Sequence, residues 1–314
     1  MALKIARISK ADLSHEKWLA IRKTGIGGSD ASAILGLNPY YSPFDCYADK
    51  IGVRPPVVDN EAMRQGRDLE EYVAKRFCEE QGKKVRRINA ILQHDEHKFL
   101  IGNVDRVLIG EDAGLECKTT SVLNKSKFNL GEYPTAYYAQ CVHYMALTGA
   151  AKWYLAVLVL NKGFHIFEIE RDENEIGALI EMERAFWQDH VCKQIPPNPD
   201  GNASTAETIK AMFPQGTSGD IIPLFGQEAV IASYLELDST VKGLEKQRDS
   251  FKQTLQLALG DAEIGKAHGY EVQWKNQTRQ TLDTKRLQEE QFAVYAAYLK
   301  PVQTVRVFKV KGEK

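Results

Sequence analysis

The sequence predicts an α/β core in which helices flank a small mixed β-sheet, followed by a separate, mainly helical appendage. Three observations carry this. A helix-length run places Leu69, Val73 and Phe77 four apart, short β-branched and aromatic runs alternate with helical patterns, and a Pro- and Gly-rich stretch after Ile195 marks a change of hydrophobic period. Of 314 residues, 43% are hydrophobic and 26% charged, enough for a sizeable core plus a second unit.

Residues 12 to 52 read as short helices broken by glycine: a segment bearing Trp18, Leu19 and Ile21, then GGSDASAILG, then SPFDCYADKIG, each opened by a Ser or Asp with N-cap character. Pro55 and Pro56 separate these from a helix spanning Asn60 to Gln81. Two β-rich runs follow, about Val85 to Gln93 and Phe99 to Ile109, then a turn at EDAG and a short strand LECKT. A helix near Thr135 to Leu147 precedes the strands WYLAVLVL and FHIFEIE, joined by a tight turn at Asn161-Lys162-Gly163. An amphipathic helix from Glu173 to about Lys193 completes the core.

The expected domain organisation is therefore a core over residues 1–196, a linker over 197–225 that opens with PPNPDGNAS and is rich in Pro, Gly, Ser and Thr, and an appendage over 226–314. In the appendage Val230, Tyr234, Leu237, Val241, Leu244, Phe251, Leu255 and Ala258 keep a four-three alternation interrupted only by Arg248, which fits a coiled-coil seam. The last fifty residues suggest a strand YEVQWKNQT, a helix from Thr284 to Tyr298 and a final strand TVRVFKV.

Several classes of function are disfavoured at this level. The amino-terminal MALKIARISK lacks the apolar core of a signal peptide, and the longest apolar stretch, Tyr154 to Leu160, is too short for a membrane span, so a soluble cytoplasmic protein is expected. Five scattered cysteines with no C-x-x-C pair suggest neither a zinc ribbon nor a disulfide framework. A net charge of -1 gives no global attraction for nucleic acid, so any DNA site must be locally basic or recruit metal ions to offset its carboxylates.

The chemistry is concentrated in Gly102-Asn103-Val104-Asp105, followed eleven residues after Asp105 by Glu116-Cys117-Lys118. Residues two apart in a strand share a face, so Glu116 and Lys118 project together beside an Asp from the preceding strand. Two carboxylates and an ammonium suit phosphodiester hydrolysis. The carboxylates hold Mg²⁺, which polarises the phosphate and activates a water, and the lysine positions or deprotonates that nucleophile or stabilises developing charge. In isolation, such a D…E-x-K pattern is more often a surface ion pair on a hairpin.

Neighbouring helices supply further candidates. At about 100° per residue from Leu69, Val73 and Phe77 fall at about 40° and 80°, Glu70 at about 100° inside the apolar arc, and Glu71 at about 200° outside it. A carboxylate on a core-facing stripe is costly unless paired or metal-bound. Glu70 is therefore the better ligand candidate, or else a helix-face charge paired with a neighbour such as Arg67. Gln140, in the apolar and aromatic PTAYYAQCVHYMALTG, either orients the lysine or water or is a satisfied core amide, and nearby His143 reads as structural.

The blocks WLAIRKTGIGGSDASAILGLNPYYSP, QGRDLEEYVAKRF, GNVDRV with LECKTT, and AYYAQCVHYMALTG, over about Lys17 to Pro196, resemble the YqaJ family of viral recombinases, relatives of phage lambda exonuclease. The resemblance implies a PD-(D/E)XK (restriction-endonuclease-like) core, Mg²⁺ dependence with Mn²⁺ as a substitute, and 5′ to 3′ resection of one strand at double-stranded DNA ends. By position it implies Asp105 and Glu116 as main metal ligands, Glu70 as an additional ligand directly or through water, Lys118 as catalytic lysine and Gln140 as orienting amide. Arg22 and Ser29 match the family's arginine and serine that hold a terminal 5′ phosphate. It further implies a phage- or prophage-encoded protein of the bacterial cytoplasm, a single-strand annealing protein as partner, and a homo-oligomer, in the family a ring-shaped trimer.

The sequence departs from the family pattern at two points. Asn103 stands where a proline often precedes the metal-binding Asp by two, and the tail is absent from lambda exonuclease. The Arg22 to Ser29 block has its own physical sense: glycines admit close backbone approach, a helix start favours an anion, and arginine makes bidentate phosphate contacts. The same residues by themselves fit an ordinary glycine turn with a serine N-cap. Two other functions stay open, a structure-selective or site-specific endonuclease of the same fold, and a non-catalytic recombination accessory module that binds DNA or a partner through the tail. The retained Glu70, Asp105, Glu116, Lys118 and Gln140 argue against the latter.

Overall fold

Nearly continuous burial along residues 152–159, with helices packed on both faces of that strand, organises the protein into layers. The structure, a computed structural model, describes residues 5–9, 14–56, 58–123, 128, 132–302 and 304–312. Residues 1–213 form one compact unit and 214–314 another. The first contains, in chain order, β1 (Ile5–Ser9), α1 (His15–Arg22), α2 (Gly28–Ile34), α3 (Pro43–Lys50), α4 (Glu61–Gln81), β2 (Val85–Arg86), β3 (Ala90–His94), β4 (Ile101–Gly102), β5 (Arg106–Leu108), β6 (Ala113–Thr120), α5 (Thr135–Thr148), β7 (Lys152–Val159), β8 (Gly163–Glu170), α6 (Glu173–Phe186) and α7 (Ala203–Met212).

The main sheet has the order β2-β5-β6-β7-β8. Its central β6 and β7 run parallel, joined through α5, while the outer pairings are antiparallel. Along β7, Trp153, Leu155, Val157 and Val159 enter the cluster that contains Val142, Met145 and Leu147 of α5, whereas Tyr154 and Ala156 meet Val73, Ala74 and Phe77 of α4. The sheet is therefore covered by α5 on one face and α4 on the other, the mixed sheet flanked by helices that the sequence predicts. A second, three-stranded sheet of order β1-β3-β4 lies in the same unit.

Local capping sets the helix limits. Asn60 accepts the amide of Met63 to open α4, and Gly82 closes it at φ 65°. Ser42 and Asp45 form a reciprocal capping box at the start of α3. Asp172 caps α6, which continues as a π-helical turn over Trp187–Cys192.

Four expectations require correction. Each β-rich run divides between two sheets: β2 and β5 join the main sheet, β3 and β4 the smaller one, with irregular backbone at residues 87–89 and 103–105. The expected linker holds α7, docked on α3 because Thr205 donates to Ser42 at 2.7 Å and Thr208 donates to Asp45, so threonines that signalled a linker are buried hydrogen-bond donors. In the second unit, made of α8 (Glu228–Leu259), β9 (Ile264–Ala267), β10 (Tyr270–Gln273), α9 (Thr284–Glu290) and α10 (Phe292–Ala297), the helix expected from Thr284 to Tyr298 breaks at Gln291, whose φ of -136° and ψ of 52° leave the helical region. Residues 304–310 form no strand, because they lie in none of the described β-ladders. Within α8 the apolar seam is real but exposed: Val230, Leu237, Val241, Leu244 and Phe251 all face solvent. Among the described residues no helix is long and apolar enough to cross a membrane.

Candidate active site

The alternation of β6 places Leu115 and Cys117 toward α4 and leaves Glu116 and Lys118 for the α5 face. There the two meet. The Lys118 ammonium lies 2.6 Å from Glu116 Oε1 and donates to Gln140 Oε1 at 2.8 Å. Gln140, from α5, closes the triangle by donating from Nε2 to Glu116 Oε1 at 2.7 Å and to the Tyr144 hydroxyl at 3.1 Å. Gln140 is thus a buried amide whose oxygen and nitrogen both have partners, two of which are the candidate lysine and glutamate.

Asp105 joins from the segment between β4 and β5, where its Oδ2 accepts the backbone amide of Cys117 at 2.8 Å. Burial pushes its pKa well above the usual carboxylate range, the nearby Glu116 charge adds to this, and Lys118 opposes it. Lys118 is held above its ordinary value because Glu116 and Asp105 together outweigh the cost of its burial.

Hard carboxylate oxygens close enough to repel one another, beside a buried Glu116 Oε2 with no hydrogen-bond partner, fit a divalent cation. Asn103, two residues from Asp105, also has a buried side-chain oxygen without a partner. Among the described residues, however, no group of three His, Cys, Asp or Glu side chains that could hold a metal ion comes together.

Glu70 accounts for that difference. Arg106 pairs across the ladder with Leu115 and so projects to the α4 face, where Nη1 reaches Glu70 at 2.5 Å and Nη2 reaches Glu71 at 2.8 Å. The Glu70 side chain is 31% exposed and Arg106 3%. Glu70 faces inward on α4 as the helical spacing predicts, and the ion-pair partner it takes is Arg106 and not a helix neighbour such as Arg67, which pairs with Asp59. An arginine directly after Asp105, at the start of a strand, was the available signal, because an arginine that becomes buried demands a carboxylate partner.

Arg22 and Ser29 lie together on a second feature, an open cleft lined also by Trp18, Gly27, Asp30, Asn103 and Tyr144. The Arg22 guanidinium stacks over the Trp18 ring, 4.9 Å from its centroid. Helix α2 begins at Gly28, with Gly27 rather than Ser29 at its cap. Gly28 is required by packing: a Cβ there would come within 2.7 Å of the Tyr144 ring. Tyr144 links the cleft to the carboxylate site, since its hydroxyl accepts from Gln140 and donates to the Asn103 carbonyl at 3.3 Å.

One buried ion pair, unforeseen in the sequence, supports this cleft. Lys50 Nζ lies 2.5 Å from Asp30 Oδ2 and donates to the Arg22 carbonyl at 2.9 Å, while the Gly27 amide donates to the same Asp30 oxygen at 2.8 Å. Burial works to raise the Asp30 pKa, but the charges of Lys50 and Arg22 outweigh it and hold the carboxyl below its usual range.

Known proteins place this architecture in context. The YqaJ-like viral recombinase domain family matches residues 17–151. The uncharacterized protein YqaJ of Bacillus subtilis (strain 168) is 38% identical over 290 residues, 91% of each chain. Among solved structures, the alkaline exonuclease LHK-Exo of Laribacter hongkongensis is 18% identical, with a TM-score of 0.49 over 57% of this chain and 94% of its own. LHK-Exo in complex with dAMP is 19% identical with a TM-score of 0.50 over the same shares, and it shares the phage-exonuclease PD-(D/E)XK fold with residues of this chain.

Proposed function

Because this chain belongs to the family of YqaJ-like viral recombinases, we propose that it is a Mg²⁺-dependent deoxyribonuclease of DNA recombination that resects linear duplex DNA from its ends, 5′ to 3′, to leave 3′ single strands for annealing. The observation that carries this reading is the convergence of Asp105, Glu116, Lys118 and Gln140 on one face of the sheet. It matches the order of parts that phosphodiester hydrolysis requires.

Asp105 and Glu116 would hold the Mg²⁺, with Mn²⁺ as substitute; when bound, the ion supplies a polarised scissile phosphate and an activated water. The chain's own residues do the rest. Gln140 fixes Lys118 and Glu116 relative to each other, so the ammonium and the carboxylate face the same phosphate. Lys118 engages two acceptors, and its third N–H is left to stabilise charge on a phosphoryl oxygen. Glu70 braces Arg106, whose Nη1 also donates to the Asp105 carbonyl at 2.7 Å, and in this reading Glu70 would act on the ion only through water.

The proposed direction rests on the cleft that holds Arg22 and Ser29. Arg22 and Ser29 would receive a terminal 5′ phosphate, which presents the first phosphodiester of that strand to the carboxylates. The exposed seam of α8 in the second unit suits assembly of chains or docking of a single-strand annealing protein in the bacterial cytoplasm. The deciding experiment compares linear and covalently closed duplexes, with end-labelled linear substrates. Release of label from 5′ ends alone, with closed circles intact, supports the reading. Cutting of closed circles makes the protein an endonuclease, and release first from 3′ ends reverses the direction.

A further inference from the structure

His143 occupies the middle of α5 with no exposure and does not touch the carboxylate site. Its Nδ1 lies 2.8 Å from Glu183 Oε1 on α6, itself fully buried, and its Nε2 lies 2.9 Å from the carbonyl oxygen of Ile101 on β4. A carboxylate and a backbone carbonyl both accept. A neutral imidazole donates from only one nitrogen, so bonds to both oxygens require one proton more, shared between the ring and Glu183.

Among the described residues, the acceptors and charges that bear on the ring favour the added proton. Glu183 approaches from α6, the Ile101 carbonyl from β4, Asp30 contributes its charge from α2, and the Tyr144 ring packs edge-on from the next position of α5. Burial alone would lower the imidazole pKa, but the charge and hydrogen bond of Glu183, helped by the Ile101 carbonyl, more than reverse this. With the folded value raised, the contribution is complete below the ordinary histidine range and is lost as pH rises through the folded value.

What the pair holds is the beginning of the segment that carries Asp105. Ile101 is pinned twice, its amide donating to the Ile26 carbonyl at 2.9 Å and its carbonyl accepting from His143. The next residue, Gly102, lies against α5 so closely that a Cβ would collide with Leu147, and the Asn103 carbonyl accepts from Tyr144. Successive turns of α5 thus grip the Asp105 segment through His143, Tyr144 and Leu147, while Gln140 grips Glu116 and Lys118.

We infer that the buried His143–Glu183 pair is a positioning device for the nuclease reaction, clamping the Ile101 carbonyl so that the Asp105 carboxylate is held in register with Glu116 for metal binding. This rests on the reading of Asp105 and Glu116 as the metal site. A misplaced carboxylate weakens metal binding and slows the chemical step without altering how DNA is captured, and loss of such a supporting group costs roughly ten- to hundred-fold in metal affinity or activity.

The test uses the full chain. His143→Phe with Glu183→Met replaces the pair by apolar side chains of similar size, a change that buried ion pairs often tolerate in stability. Calorimetric titration with Mn²⁺ in the absence of DNA, together with kcat and KM on linear duplex, reads the effect. Expected are an intact thermal melt, Mn²⁺ affinity and kcat each lowered roughly ten-fold or more, and unchanged KM. Glu183→Gln, which can still hold a neutral ring through its amide and leave Nε2 donating to Ile101, should restore most of both. Wild-type Mn²⁺ affinity and kcat in the folded double variant overturn the inference. Failure of the wild type to bind Mn²⁺ or digest DNA overturns the site itself instead. Should the double variant not fold, histidine ¹⁵N NMR of the wild type at neutral pH decides: protons on both ring nitrogens, or on one ring nitrogen and Glu183, support the clamp, and a neutral ring beside an ionised Glu183 overturns it.

Discussion

The Glu70 carboxylate lies 2.5 Å from the guanidinium of Arg106, the residue that follows Asp105. This ion pair joins α4 to the strand that follows Asp105, and it gives Glu70 a partner other than a cation. Glu70→Gln should therefore slow digestion less than removal of Asp105, and Glu71→Gln, at a side chain 69% exposed, should be mild. In a double-mutant cycle with Arg106→Lys, which cannot bridge both glutamates, the effects of Glu70→Gln should be non-additive by about 0.5–3 kcal/mol. Additive effects accompanied by a raised Mg²⁺ requirement in Glu70→Gln would instead make Glu70 a ligand in its own right.

Gln140 is expected to matter through the two groups it holds. Gln140→Leu keeps the volume of an apolar helix and removes the bonds to Lys118 and Glu116, so thermal stability should change little while the cleavage rate falls roughly ten-fold or more. Lys118→Met should nearly abolish cleavage. Wild-type rates for Gln140→Leu would reduce it to a core amide.

The cleft makes a separate prediction about DNA ends. A 5′-phosphorylated duplex should be digested faster than a 5′-hydroxyl one, and Arg22→Ala should erase most of that preference, since a charge-assisted contact contributes about 1.5–3 kcal/mol, or roughly ten- to a hundred-fold. Ser29→Ala should erode it less. Initial rates on otherwise identical duplexes measure this, and equal wild-type rates remove the phosphate from the cleft.

The position of α7 changes the expected outcome of truncation. A chain ending after Phe213 keeps the bonds from Thr205 to Ser42 and from Thr208 to Asp45, and should fold and digest linear DNA. A chain ending near Asn198 loses both bonds and the cover that α7 gives α3, at about 0.5–1.5 kcal/mol for each bond, and should melt lower. Equal melting temperatures for the two truncations would show that α7 contributes nothing to the first unit.

Much of the fold was legible because its signals are local. The period of Leu69, Val73 and Phe77 located α4, the short apolar run WYLAVLVL located β7, and the spacing of Glu116 and Lys118 placed both on one strand face. Gln140 was legible as a polar residue in an apolar helix. The parts that escaped depend on long-range polar pairing. Nothing adjacent in sequence tells Arg106 to reach back to Glu70, His143 to find Glu183, or Lys50 to meet Asp30, and each pair satisfies a buried charge from another element. The Thr-rich composition near Thr205 signalled a linker for the same reason, since its buried partners lie on α3. The split of the β-rich runs between two sheets was hidden because burial on either sheet gives a similar local pattern.

The central claim is that Asp105 and its neighbours form a metal-dependent phosphodiesterase site. It is tested most directly by measuring release of acid-soluble nucleotides from linear duplex DNA by wild type and by Asp105→Ala, each with Mg²⁺ or with EDTA. Matched thermal melts would establish that the variant is folded. Digestion by the wild type with Mg²⁺ alone, and none by the variant under either condition, is the expected result. Substantial digestion by folded Asp105→Ala, or digestion by the wild type that persists in EDTA, would contradict the account.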